Sequence, residues 1–244
     1  MLSSLLLAAA LWPSAVTQNC KPPDNSIMVG VAQSTKGSHL YCELVSQPNA
    51  ASLEVSYVLN DKQIVEKKIN YGANTARPSI AQKDFRFGEI RTADVSAKNV
   101  ELHYQASEQK KSGSAIIPLE QVDVVDAGFD YFVRDHWDEL QSGKTLSVNF
   151  ASMAHLKSLP LRISSHPLEK CINSSEKDPH LFCYFVEIDN AILRMLLGNI
   201  KLTYDQQHRL YEFNGVVNIL GENQDNQKAV IRYFYRSDYQ ATDK

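Results

Sequence analysis

Alternation of apolar and polar residues at every second position recurs along most of this chain, and a period of two admits strands rather than helices. Leu53, Val55, Tyr57 and Leu59 share one face of a segment that ends at Asn60-Asp61, and Val65, Lys67, Ile69 and Tyr71 continue beyond it. These two runs predict a hairpin with Asn-Asp in the turn. Val100, Leu102 and Tyr104 line another strand, ended by the polar run 108–113. Leu146, Val148 and Phe150 repeat the pattern, as do Phe182, Tyr184, Val186 and Ile188.

The last third is the most regular. Tyr211, Phe213, Gly215, Val217 and Ile219 fall on one face of a long strand, and Gly215 at its middle predicts a bend or bulge. A polar loop, 221–228, separates it from an apolar and aromatic strand at 229–235. Residues 202–204 precede this pair across a turn at 205–208, giving an antiparallel meander.

Two segments carry the helical period instead. Residues 127–141 place Phe129, Phe132, Val133, Trp137 and Leu140 on one face and Asp130, Arg134 and Asp138 opposite, with Asp126 as N-cap and Gly143 after the end. The second, 190–197, is apolar nearly all round except Arg194 and is closed by Gly198. Such a helix is buried or covers an apolar cavity.

The first residues point to export. Leu5 to Trp12 is a short apolar run followed by Pro13, Ser14, Ala15, Val16 and Thr17, the outline of a secretory signal with cleavage expected after Thr17. No Lys or Arg precedes it, and the run is far shorter than the roughly 20 apolar residues that span a bilayer. The expected organisation is a signal at 1–17 and one β-rich domain at 18–244, in the periplasm or secreted. The polar stretch between Ser107 and Pro118 reads as a hairpin loop rather than a domain boundary.

The hydrophobic share of 43% suffices for a packed core, and a net charge of −3 offers no basic field for nucleic acid. The Lys pairs at 67–68 and 110–111 are isolated and read as solvated turns or strand edges. No later segment is long and apolar enough to cross a membrane. Four cysteines in an exported chain favour two disulfides. The local pairing, Cys20 with Cys42 and Cys171 with Cys183, is preferred. No C-x-x-C pair or histidine at ligand spacing supports zinc.

Motifs for chemistry are sparse. Ser142-Gly143-Lys144-Thr145 resembles the tail of a phosphate loop. However, Asp138 stands where that loop needs glycine, and the order is helix then strand, so Gly143 is a helix stop. The hydrolase, zinc-protease and dinucleotide signatures are absent. His155, His166 and His180 could converge on a metal without any spacing that demands it. Asp130, Asp135, Asp138 and Glu139 read as the solvated face of their helix. No catalytic residue, metal site or cofactor is expected.

The aromatic residues are the stronger signal. Tyr204, Tyr211, Phe213 and Tyr233 sit on adjacent strands, with Phe132 and Trp137 on the helix that covers them and Leu193 on the shorter helix. Aromatic faces of this kind form either the core itself or an apolar pocket between curved sheet and helix, where small ligands commonly bind.

Asp126-Ala127-Gly128-Phe129-Asp130, the helix with Phe132-Val133-Arg134 and Trp137, and the strands with Leu202-Thr203-Tyr204-Asp205, Leu210-Tyr211-Glu212-Phe213-Asn214-Gly215 and Asn218-Ile219 resemble a family of uncharacterised exported bacterial proteins. The resemblance covers about residues 120–235. It implies strongly curved antiparallel sheets, loosely similar to lipoprotein-carrier folds, and a cell-envelope setting, with no mechanism.

The fold class expected is mainly β (α+β by count): a curved antiparallel sheet or incomplete barrel with one or two short helices packed on it. The function expected is non-catalytic binding of a lipid or another apolar or amphipathic small molecule in the cell envelope. The alternatives are an envelope protein–protein interaction module that uses a sheet edge, and a hydrolase built on His136 with Asp135 or on the histidines around Cys171.

Overall fold

A computed structural model describes residues 12–172, 180–189 and 199–236. After a short helix, α1 (Ser14–Thr17), come eight strands: β1 (Ser26–Gln33), β2 (His39–Asn49), β3 (Ser52–Leu59), β4 (Lys62–Asn70), β5 (Ser79–Asp84), β6 (Glu89–Val95), β7 (Asn99–Gln105) and β8 (Gly113–Pro118). Then follow β9 (Val124–Val125), α2 (Gly128–Asp135), α3 (Trp137–Gln141), β10 (Leu146–Ser152), β11 (Lys157–His166), β12 (Phe182–Ile188), β13 (Ile200–Tyr204), β14 (Leu210–Leu220) and β15 (Asn226–Tyr235). The expected short helix at 190–197, with Leu193, lies outside the described residues.

All fifteen strands among the described residues belong to one sheet. Its order runs from β8 down to β1, then from β15 down to β9. Neighbours are antiparallel except β9 and β10. The two edges, β8 and β9, are joined only by residues 119–123. Five extended residues reach about 17 Å, so the sheet must curl until its edges approach. Contacts across the seam agree with this. Arg77 Nη1 donates to the carbonyls of Leu119 and Val122, and the Val125 amide donates to Ala76 O at 3.0 Å. The result is an incomplete barrel, mainly β, as the period of two predicts.

Local chemistry sets the turns. Asn60 and Asp61 have φ of 51° and 61°, the left-handed pair of a tight hairpin turn whose twist matches β3 and β4. The polar segment after Ser107 is the hairpin loop between β7 and β8. Gly215 lies in register with Ala229, and the irregularity begins after Val216. The glycine serves close approach, because an added Cβ would stand 2.9 Å from Ile200 Cγ1.

The expected single helix over 127–141 is two. His136 leaves helical dihedrals (φ −110°, ψ 21°), stacks on Phe132 and holds the Phe132 carbonyl through Nδ1. Asp126 is not the N-cap. It has φ +41° and turns its carboxylate to Lys67 and Asn218, leaving Ala127 at the cap. Asp130 and Arg134, expected on a solvated face, form a half-buried ion pair, with the Arg134 guanidinium over the Tyr131 ring. Gly143 (φ +84°) stops α3 as predicted, its successor's amide reaching back to Glu139 O.

Disulfides join Cys20 to Cys42 and Cys171 to Cys183. Each fastens a small cluster to the outer face of the sheet. Val16 and Cys20 cover Val29, Val31 and Leu44. Cys171, Ile172 and Leu181 cover Phe185, with Tyr211 beside them. Two oxidised pairs are compatible with an extracytoplasmic protein. No helix among the described residues is long and apolar enough to cross a membrane.

Candidate ligand-binding lumen

Side chains alternate across each strand, so every second residue faces the inside of the curl. On β2 these are Tyr41, Glu43 and Val45, while Cys42 and Leu44 face out. Cross-strand register then builds rows on the inner surface. Gly30 lies between Tyr233 and Glu43, and Glu43 pairs with Tyr57. One row along, Lys67, Gln82, Arg91 and Tyr104 are successive neighbours on four strands.

Charges sit deep in this half. Lys67, expected to be solvated, is 4% exposed and pairs with Asp126 at 2.6 Å. Asn218 Nδ2 donates to the second Asp126 oxygen at 3.1 Å, and Gln82 Nε2 donates to Asn218 O at 3.0 Å. The ladder continues with Arg91 to Glu89 at 2.6 Å and with Tyr104 Oη donating to Glu89 at 3.2 Å. Arg86 pairs with Asp84 at 2.6 Å and donates to Leu220 O. Glu43 accepts from the Tyr233 hydroxyl at 3.0 Å and forms no ion pair among the described residues. Buried charges left unpaired are costly.

That cost is visible in protonation. Burial lifts the Glu43 carboxyl to about 7, against the downward pull of the Tyr233 hydrogen bond and of Lys67. Burial also pushes Asp126 up, but Lys67 and Asn218 more than offset it and hold the carboxyl below its ordinary value. The Tyr57 and Tyr233 hydroxyls are driven well above their usual range by burial and then by Glu43, so they stay neutral donors. Tyr41 Oη, Gln82 Oε1, Glu89 Oε2 and Arg91 Nε are buried without a hydrogen-bond partner among the described residues. Unpaired polar atoms gathered on one inner surface are rare in a core.

The other half of the interior is apolar. Leu146, Val148, Ile163, Tyr184, Val186, Leu202 and Tyr204 pack under α2 and α3. Trp137 meets Phe182, Tyr184 and Tyr204 edge-on at centroid distances of 5.1 to 5.9 Å and stacks on His208. Around this core the side chains of Phe129, Phe182, Ile200 and Leu210 are half-buried. Phe213 packs against both halves, and Tyr71 on β4 meets Tyr131 on α2 at 5.0 Å. The polar and apolar surfaces are therefore continuous.

The expected site residues divide accordingly. Phe132, Trp137 and Tyr204 come together in the packed apolar half, Tyr204 being 1% exposed beside Asp130. Phe213 stands at the junction, and Tyr233 reaches the polar row. Tyr211 does not share their face. The register shifts between Thr203 and Tyr204, so Tyr211 and Glu212 both turn outward, where Arg232 lies over the Tyr211 ring. Leu193 lies outside the described residues.

The alphabet of period two conceals the polar row, because Glu43, Gln82, Arg91 and Glu89 occupy inner positions that a strand reading expects to be apolar. The signal available was Lys67 between Val65 and Ile69 in an otherwise apolar face.

The histidines stay apart. His155 bonds Ser152, His166 bonds Ser164 and stacks on Phe185, and His180 is exposed. His136 is held by a backbone carbonyl while Asp135 is exposed. Among the described residues no three His, Cys, Asp or Glu side chains gather at metal-binding distance.

No protein-family profile matches the chain, and no curated protein matches it. Among solved structures it is similar to a beta-barrel-like protein of domain of unknown function DUF1849 from Brucella abortus. That similarity has 7% identity and a TM-score of 0.47, over 87% of this chain and 99% of the other.

Proposed function

We propose that this chain is an exported, non-catalytic binding protein of the cell envelope that holds an amphipathic molecule in its lumen. The continuous inner surface carries the reading: tyrosines and buried charges line one half, aromatic and aliphatic side chains the other, and Phe213 joins them. An apolar tail gains about 25 cal/mol per Å² against the second half, while unpartnered polar atoms in the first receive the polar end. The two disulfides suit an oxidising compartment.

Titration calorimetry with dodecyl maltoside below its micelle concentration tests this reading. Saturable binding of about one molecule, weakened by Phe213→Asp, is the expected result. Non-saturable uptake, or binding indifferent to Phe213→Asp in a folded variant, would overturn it.

A further inference from the structure

We propose that residues 12–17 stay in the exported protein as the built-in cover of an apolar patch on its outer wall, and that processing of the leader ends upstream of Trp12. The inference rests on the export reading given above and moves the boundary that the sequence places after Thr17.

Four strands build the patch. Val29 and Val31 on β1, Leu44 on β2, Val58 on β3 and Phe234 on β15 share the outward face, as their register shows. Farther round the same wall Glu66 and Lys68 on β4 and Lys83 on β5 take the outward places, as a solvated face requires. A contiguous apolar patch on such a wall needs a cover. Val16 lies on it and is 0% exposed, with Cys20 and Trp12 packed beside it. Under that cover Val29 is 0% exposed as well, and Val31 and Leu44 are buried.

Hydrogen bonds cross the expected cut. The Gln18 amide donates to Ser14 O at 3.0 Å and the Cys20 amide to Val16 O at 2.7 Å. Asn19 Nδ2 donates to Ala15 O at 3.0 Å. Cys20 is then joined to Cys42 on β2, so the disulfide holds α1 down on the sheet. A cut after Thr17 would keep the disulfide but remove what it holds. Three donors would lose their acceptors, and the apolar side chains under Val16 would face water.

Intact mass and urea unfolding of the exported protein, unaltered and carrying Val16→Ala, test this. The mature protein is expected to start at or before Trp12 and to show the mass change of the substitution. Its urea midpoint should fall by roughly 0.5–1 M with Val16→Ala. A mature chain that starts beyond Trp12 overturns the inference and leaves the export reading standing; one that starts at Gln18 gives identical masses and midpoints for the two. Chain found only in the cytoplasm overturns the export reading. Chains that start at Trp12 and at Gln18, each behind the same cleavable leader of known boundary, then decide the matter. A midpoint lower by roughly 0.5 M or more in the shorter chain supports the cover, and equal midpoints overturn it.

Discussion

The Tyr233 hydroxyl donates to Glu43 Oε2 at 3.0 Å, and the two residues sit on strands that are not neighbours but flank β1. Two strand spacings separate them, close to 10 Å between backbones. The bond is made over Gly30, where an added Cβ would stand 2.9 Å from Tyr233 Cε1 and 3.2 Å from Glu43 Cβ. One residue without a side chain thus lets an aromatic hydroxyl and a carboxylate meet inside the barrel.

Glu43 makes stability depend on pH in a direction opposite to most carboxylates. Its folded value of about 7 lies above its ordinary 4.5, so the folded state binds more protons across that window. Stability is therefore greatest below about 4.5 as far as this group is concerned, and falls as pH rises to about 7. The groups facing it are Tyr41, Tyr57, Tyr233, Lys67 and Asp126. Glu43→Gln, which removes the charge, should stabilise the protein at pH 8 by up to about 3 kcal/mol and leave it little changed at pH 4.5. Thermal unfolding of both proteins from pH 4.5 to 8 checks this. Parallel curves would show that Glu43 titrates as it does in water.

Gly30→Val should destabilise by about 1–3 kcal/mol, because Tyr233, Ile231 and Glu43 already fill the space around its α-carbon. Denaturant unfolding measures the loss. A near-neutral substitution would mean that Tyr233 has room to swing away without cost.

Lys67→Met leaves the Asp126 carboxylate buried with Asn218 as its remaining side-chain partner. Stranding such a charge costs about 3–5 kcal/mol. The double variant with Asp126→Asn should regain most of that, since it removes both charges. Urea unfolding of the two variants separates pair chemistry from simple packing, for which the second change would recover nothing.

The disulfides close segments of 22 and 12 residues. Chain entropy assigns about 3 kcal/mol to each. Cys20→Ser with Cys42→Ser, and separately Cys171→Ser with Cys183→Ser, should each lower the urea midpoint accordingly. Additive losses in the quadruple variant are expected, because the two pairs anchor different outer clusters.

Strands with apolar residues at every second place were legible in the chain, as in β3, β4, β7, β10, β12 and most of β14, and β15 was legible as an apolar and aromatic run. β5 and β6 were not, because Gln82, Asp84, Glu89 and Arg91 point inward and erase the contrast that reveals a buried face. Their burial depends on partners distant in sequence, as in Gln82 with Asn218, and no local window carries that information. Tyr211 was misplaced for a related reason. A bulge shifts the register by one residue and turns the side chain to the other face, and Tyr211 has no glycine beside it to announce the change. The break at His136 depends on the Phe132 carbonyl and ring, so it too lies beyond a reading of helical period alone.

Native mass spectrometry of the full chain, exported into an oxidising compartment and purified without detergent, tests lumen binding most directly. The expected result is a stoichiometric adduct that solvent extraction releases as an amphipathic molecule. Protein of a single sharp mass that also takes up no dodecyl maltoside when it is added would contradict it.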